Sequence, residues 1–311
     1  MIDFRYHLIS LVAVFLSLGL GLLIGSAVIA DNLIEDIEDR LEDVRTTNEE
    51  RLAEIVRLRS LVANGEDFAR FLEPSLVNEA LGGSQIVLFV FEGSEDGLID
   101  GLRAVVEEAG GDIATTVFIS DRFALDDPNS AQELSLITGH EIADPAELRE
   151  QIARELGSVA AAAATSDQRR GNLLADQRLD ALIEELEEAQ FLSIDRDQDP
   201  VTIPVGAEFI VAAGSLDEPV YEIDGFGLAL AGTLADRGAK VIAVESADSV
   251  WGLVEAVRGD SDVADGVATV DHADTVPGRI ATALALSRAA FEAGHYGYDR
   301  GAQEPFPSSG I

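Results

Sequence analysis

Three hydrophobic rhythms succeed one another along the chain. From Leu8 to Ala30 the run LISLVAVFLSLGLGLLIGSAVIA carries no charged residue. As a helix it would be roughly 34 Å long, enough to cross a hydrocarbon core of ~30 Å. A lone span at that depth must satisfy its own backbone hydrogen bonds, so helix is the expected state. From 31 to 63 the period changes to heptads. Ile34, Ile37, Leu41, Val44, Asn48, Arg51, Ile55, Leu58 and Val62 fall on the a and d positions. All but Asn48 and Arg51 are apolar, which predicts a helical stalk. Asn64-Gly65 is read as its end, and Glu73-Pro74 and Gly82-Gly83 as punctuation of the join to the globular part.

From Gln85 onward the rhythm is strand–helix alternation. QIVLFVF at 85–91, 113–119, a weak 191–194, EFIVAA at 208–213, 240–244 and 267–270 read as strands of the buried, parallel-sheet kind. Helices are expected at 98–109, 146–164, 172–189, 225–237, 249–258 and 277–293, with an irregular acidic stretch over 120–143. Repeated β-α units with right-handed crossovers imply one mostly parallel sheet covered on both faces. That is a three-layer α/β sandwich of the Rossmann/flavodoxin-like kind. The expected organisation is a cytoplasmic amino terminus (1–7), a membrane span (8–30), a coiled-coil stalk (31–64), an extracytoplasmic α/β domain (84–294) and a Gly- and Pro-rich tail without regular structure (295–311).

Orientation is read from the flanks. Arg5 precedes the span, whereas Asp31, Glu35, Asp36, Glu38 and Asp39 come after it, which favours a cytoplasmic amino terminus. The rival is a signal peptide cleaved near Val28-Ile29-Ala30. The apolar run is longer than a typical signal core and its basic lead is weak, so a retained anchor is the expectation. Within the span Ala13, Ser17, Gly21 and Gly25 recur every four residues. They place small side chains on one helix face, where a second helix could approach closely. That face and the heptad positions Ile37, Leu41, Asn48, Ile55 and Leu58 both point to a parallel homodimer. A lone amphipathic helix folded onto its own domain is the competing reading of the stalk.

Composition narrows the chemistry. The 311 residues carry a formal charge of −37, and of 21 basic residues only Lys240 is lysine. Such a surface disfavours nucleic acid as a partner, because like charges repel. It fits a solvated, salt-tolerant surface. There are no cysteines and one methionine, the first residue, so thiolate sites, disulfides and soft thioether ligands for Cu(I) are excluded. No G-x-G-x-x-G comes after a strand, and no phosphate-loop motif occurs. The turns Glu92-Gly93-Ser94 and Gly214-Ser215 are explained by ordinary turn chemistry. Ser94 and Ser215 lack a nucleophile elbow, and no enzymatic activity is expected. The densest ligand-like cluster is Asp271-His272-Ala273-Asp274, where Asp271, His272 and Asp274 could hold a divalent cation, although an exposed loop after the last strand is the favoured reading.

Two stretches together resemble a known family. MIDFRYHLISLVAVFLSLGLGLLIGS at the start and VDHADTVPGRIATALALSRAAFEAGHYGYD near the end are similar to the MctB-type "copper transporter" family of actinobacteria. The resemblance covers the whole order of parts, from short amino terminus to His-Tyr-Gly tail. It implies a membrane-anchored protein of copper efflux and copper homeostasis, with copper as its ligand. Copper comes from the resemblance alone, since no residue pattern for it can be carried over. The resemblance also implies a second role: a non-enzymatic dimeric cell-envelope scaffold whose coiled coil recruits or regulates a partner such as a peptidoglycan hydrolase.

Overall fold

The fold was analysed in a computed structural model, described over residues 4–139, 144–165, 181–195, 203–287 and 292–307, except for the side chains of 26–36, 38 and 39. Two compact units result, Met1–Gly65 and Glu66–Ile311.

The first unit is helix. α1 spans Phe4–Val77 and so extends into the second unit. Its apolar part, Phe4–Gly25, is a 22-residue span of mean hydropathy 2.5 with none of it buried. The expected helix end at Asn64-Gly65 is corrected: the helix continues for three more turns. Glycine in a helix costs about 1 kcal/mol. The final turns recover more than that, because Val77 is fully buried and Glu73 bonds to Arg279 at 3.2 Å. Tertiary packing outweighs local preference here. Pro74 lies inside this helix and does not end it.

The second unit is an open seven-stranded sheet in the order β3-β2-β1-β4-β5-β6-β7. The strands are β1 Gln85–Phe91, β2 Asp112–Ile119, β3 Leu192–Asp195, β4 Glu208–Ala213, β5 Val241–Glu245, β6 Ala268–Val270 and β7 His295–Tyr296. All neighbours pair in parallel except β3, which runs antiparallel to β2. The helices are α2 Asp96–Glu108, α3 Pro128–Thr138, α4 Pro145–Thr165, α5 at 181–188, α6 Ile223–Asp236, α7 Leu253–Gly259, α8 Ser261–Ala264 and α9 Val276–Leu286, with a 3-10 turn at Asp121–Ala124.

Alternate residues of a strand face opposite sides. Val87, Phe89 and Phe91 of β1, with Phe209 of β4, therefore join Phe123, Phe191 and Phe226 in one core, under α3 to α7. Ile86, Leu88 and Val90, with Ile210 and Ile242, join Leu98, Leu102, Ile280 and Leu286 in the other, under α2, α9 and the end of α1. Burial on both faces is why these strands read as continuous apolar runs. Each fully buried Phe or Leu contributes about 1.5–3 kcal/mol.

The expected three-layer α/β sandwich is what forms. The differences are local. Of the stretch 120–143, expected to be irregular, residues 140–143 lie outside the described ones and the rest holds α3, opened by Pro128 and capped by the Asp127 carboxylate, which accepts from the Asn129 amide at 3.1 Å. α7 starts at Leu253 rather than 249, because the preceding residues form a loop around Glu245. Of the helix expected at 172–189, residues 172–180 lie outside the described ones, as do 288–291 of the closing helix. The tail is also corrected. Residues 295 and 296 form a seventh strand, with Thr269 opposite His295 and Val270 opposite Tyr296. Two residues are too few to show a period in the sequence.

Candidate functional site

In open parallel sheets, ligands gather beyond the carboxyl ends of the strands. Beyond β6 the chain enters Asp271 and His272, and the carboxyl-terminal segment folds back onto both. Asp271 is 2% exposed and accepts four hydrogen bonds. Oδ1 takes the Tyr298 amide at 2.7 Å and His272 Nδ1 at 2.8 Å. Oδ2 takes Arg258 Nη1 at 2.8 Å and the Asp299 amide at 3.2 Å. Burial alone would raise its pKa. The bonds from the Tyr298 amide, Arg258 and His272 outweigh burial and hold the carboxyl below its ordinary value.

Arg258, on α7, closes the arrangement from below. Its Nε donates to Thr269 Oγ1 at 2.9 Å, its Nη2 to the Tyr296 carbonyl at 2.7 Å and its Nη1 to the Arg300 carbonyl at 3.3 Å. The guanidinium fork thus binds α7, β6, β7 and the segment after it. The Thr269 hydroxyl also meets His295 Nδ1 at 3.0 Å. Burial, and then the nearby Arg258 charge, push the His295 pKa down, opposed by Asp265. His295 is therefore a neutral, structural histidine.

Two glycines make the close approach possible. A side chain on Gly297 (φ +127°) would place its Cβ 2.1 Å from Asp271 Oδ1. One on Gly278, in the first turn of α9, would lie 2.0 Å from the His272 carbonyl. His272 itself is left-handed, at φ +54°. The Thr275 hydroxyl donates to its carbonyl at 2.7 Å and accepts from the Gly278 amide at 3.2 Å, joining the turn to the helix cap. The residues of VDHADTVPGR and HYGYD thus form one structural unit.

Of the expected cation ligands, the fold brings Asp271 and His272 together and sends Asp274 elsewhere. Asp274 Oδ1 accepts from the Ala247 amide at 2.6 Å, in the loop after β5. Asp299 takes its place: ligand atoms of Asp271, His272 and Asp299 all lie within 4.8 Å of one another. Asp299 Oδ2 is 3.6 Å from His272 Nδ1 and its side chain is 59% exposed. Tyr298 meets the His272 ring edge-on at 5.6 Å. Sequence reasoning missed Arg258, Thr269 and Asp299. Their pairing with Asp271 comes from tertiary folding, and the H-Y-G-Y-D run near the carboxyl end was the available signal.

The donor set fits Cu(II) better than Cu(I), since imidazole and carboxylate suit the former and soft sulfur ligands are missing. Asp271 already faces a guanidinium, so it is poorly placed as a direct ligand. As an acceptor-only carboxylate it makes Nδ1 of His272 the donor and leaves Nε2 with the lone pair. A carboxylate behind a histidine is the usual arrangement that orients a metal-binding imidazole.

The anchor-face residues Ala13, Ser17, Gly21 and Gly25 are all exposed on α1, and Ser17 Oγ donates back to the Val14 carbonyl at 2.9 Å. Ile37, Leu41, Ile55 and Leu58 are 48%, 63%, 44% and 51% exposed, and Asn48 is exposed beside them.

Among the described residues one helix is long and apolar enough to cross a membrane, and with the open doubly wound sheet it fits a single-pass, membrane-anchored α/β protein. A family described as "Copper transport outer membrane protein, MctB" matches residues 1–307, and the chain belongs to that family. It is 28% identical to the "Copper transporter MctB" of Mycobacterium tuberculosis (strain ATCC 25618 / H37Rv), over 97% of this chain and 98% of that protein. It is 26% identical, at the same coverage, to the "Copper transporter MctB" of Mycobacterium leprae. These names speak of copper and not of an envelope scaffold.

Proposed function

We propose that this chain is a single-pass protein of copper homeostasis, anchored by its apolar helix with the amino terminus in the cytoplasm and the α/β unit outside. There it contacts copper as Cu(II) through His272 Nε2 and the Asp299 carboxylate. The carrying observation is the His272–Asp271 pair, in which a buried, ionised carboxylate orients an imidazole beside an exposed carboxylate. Membership of a family named for copper transport supports the choice of ion. Among the described residues one helix is long and apolar enough to span a membrane, and the role we assign to this chain is to bind or hand over copper. The exposed apolar positions Ile37, Leu41, Ile55 and Leu58 favour a parallel homodimer.

Complementation tests the reading. In a strain lacking this gene, the wild-type chain should restore growth at raised copper and His272→Gln should not, at equal membrane levels. Full restoration by His272→Gln, or a deletion strain with normal copper tolerance, would overturn it.

A further inference from the structure

Copper has two common valences in biology, and the donor atoms of this chain discriminate between them. Cu(I) is a soft ion that takes thiolate and thioether ligands, whereas nitrogen and oxygen donors in a tetragonal array suit Cu(II). The sequence contains no cysteine, and its one methionine is residue 1. Of the histidines, His7 belongs to the apolar helix and His140 lies outside the described residues. His295 is 8% exposed, and its Nδ1 meets the Thr269 hydroxyl at 3.0 Å. Among the described residues of the second unit, His272 is therefore the one accessible imidazole. Its neighbours are carboxylates: Asp271 Oδ1 lies 2.8 Å and Asp299 Oδ2 3.6 Å from its Nδ1. A soft, two-coordinate ion finds no second soft or imidazole donor among these groups. A tetragonal ion needs none, because the His272 and Asp299 side chains are 23% and 59% exposed and leave a side where water can complete the ligand set. The carboxylates also attract a doubly charged ion more strongly than a singly charged one.

The cytoplasm imposes the opposite valence. Glutathione and thioredoxin hold it reducing, so copper that leaves it leaves as Cu(I). A unit outside the membrane that takes Cu(II) does not take that ion directly. We infer that this chain acts after an oxidation: a one-electron oxidation of Cu(I) must supply the copper that His272 and Asp299 take up. With dioxygen as the electron acceptor, four Cu(I), one dioxygen and four protons give four Cu(II) and two waters. The chain receives the product of that step and takes no electron itself. The inference rests on the copper reading and adds to it the valence and the order of events.

Equilibrium dialysis of the full-length protein in detergent tests it. One series runs under nitrogen with Cu(I) in dilute acetonitrile, the other in air with Cu(II) in glycine buffer. Retained copper is measured by atomic absorption, and its valence by electron paramagnetic resonance. The wild type should bind Cu(I) at least about a hundredfold more weakly than Cu(II), a gap of about 2.7 kcal/mol. Admitting air to the Cu(I) series should load the chain with paramagnetic copper. His272→Gln should lose the preference, which separates the site from general attraction of Cu(II) to an acidic surface. Cu(I) held as tightly as Cu(II) by the wild type under nitrogen, or a preference for Cu(II) that survives in His272→Gln, would overturn the inference. Retention of neither valence by the wild type would overturn the copper reading itself, and the inference with it.

Discussion

Replacing Asp271 by Asn is the sharpest perturbation of this structure. The shape is kept and the charge is lost. The carboxylate accepts four hydrogen bonds at 2.7–3.2 Å, and it faces an Arg258 side chain that is only 4% exposed. An asparagine offers one acceptor oxygen where four donors converge, and its own N–H₂ is turned against some of them. Breaking one partner of a buried pair strands the other charge, at about 3–5 kcal/mol. Urea unfolding of residues 66–311 should show a loss of that size. Hydrogen exchange should accelerate at the Tyr298 and Asp299 amides well before the sheet core opens. The pH dependence has a definite sign. The Asp271 pKa is lowered on folding, so its stabilisation is present above the unfolded value near 3.8 and is lost as pH falls through the folded value. Asp271→Asn should lack that acid-side loss. A cost below about 1 kcal/mol with unchanged exchange at 298 and 299 would refute the idea that Asp271 holds the carboxyl-terminal segment.

Gly278→Ala should destabilise the unit by about 1–3 kcal/mol in denaturant titration, because its Cβ would lie 2.0 Å from the His272 carbonyl. His295 is held neutral, with a lowered pKa, so the wild type should lose stability as pH falls from about 6.5 towards the folded value. His295→Gln should flatten that part of the pH–stability curve. Ile55→Asp with Leu58→Asp should abolish cross-linking between chains in membranes. It should leave the unfolding of residues 66–311 unchanged, since both side chains belong to the first unit and are about half exposed.

The parallel sheet was legible because its central strands are buried on both faces and so appear as uninterrupted apolar runs. Gln85–Phe91 and Glu208–Ala213 form with the bounds read from the residues alone. The apolar anchor was equally plain. Features that depend on contacts across the fold were not. Gly65 looks like a helix end until Val77 and Glu73 are seen packed against the domain. His295-Tyr296 looks like a tail until Arg258 and Asp271 draw it onto the sheet edge. The candidate site was half visible: adjacency put Asp271 and His272 together. Asp274 is just as near in sequence, yet it turns to the Ala247 amide, while Asp299 arrives from 28 residues beyond Asp271.

Electron paramagnetic resonance of the full-length protein loaded with one equivalent of Cu(II) tests the central claim most directly. A spectrum with nitrogen hyperfine coupling from one imidazole is expected. It should disappear in His272→Gln and weaken in Asp299→Asn, while Asp274→Asn retains it. The same nitrogen-coupled spectrum from His272→Gln would contradict the account.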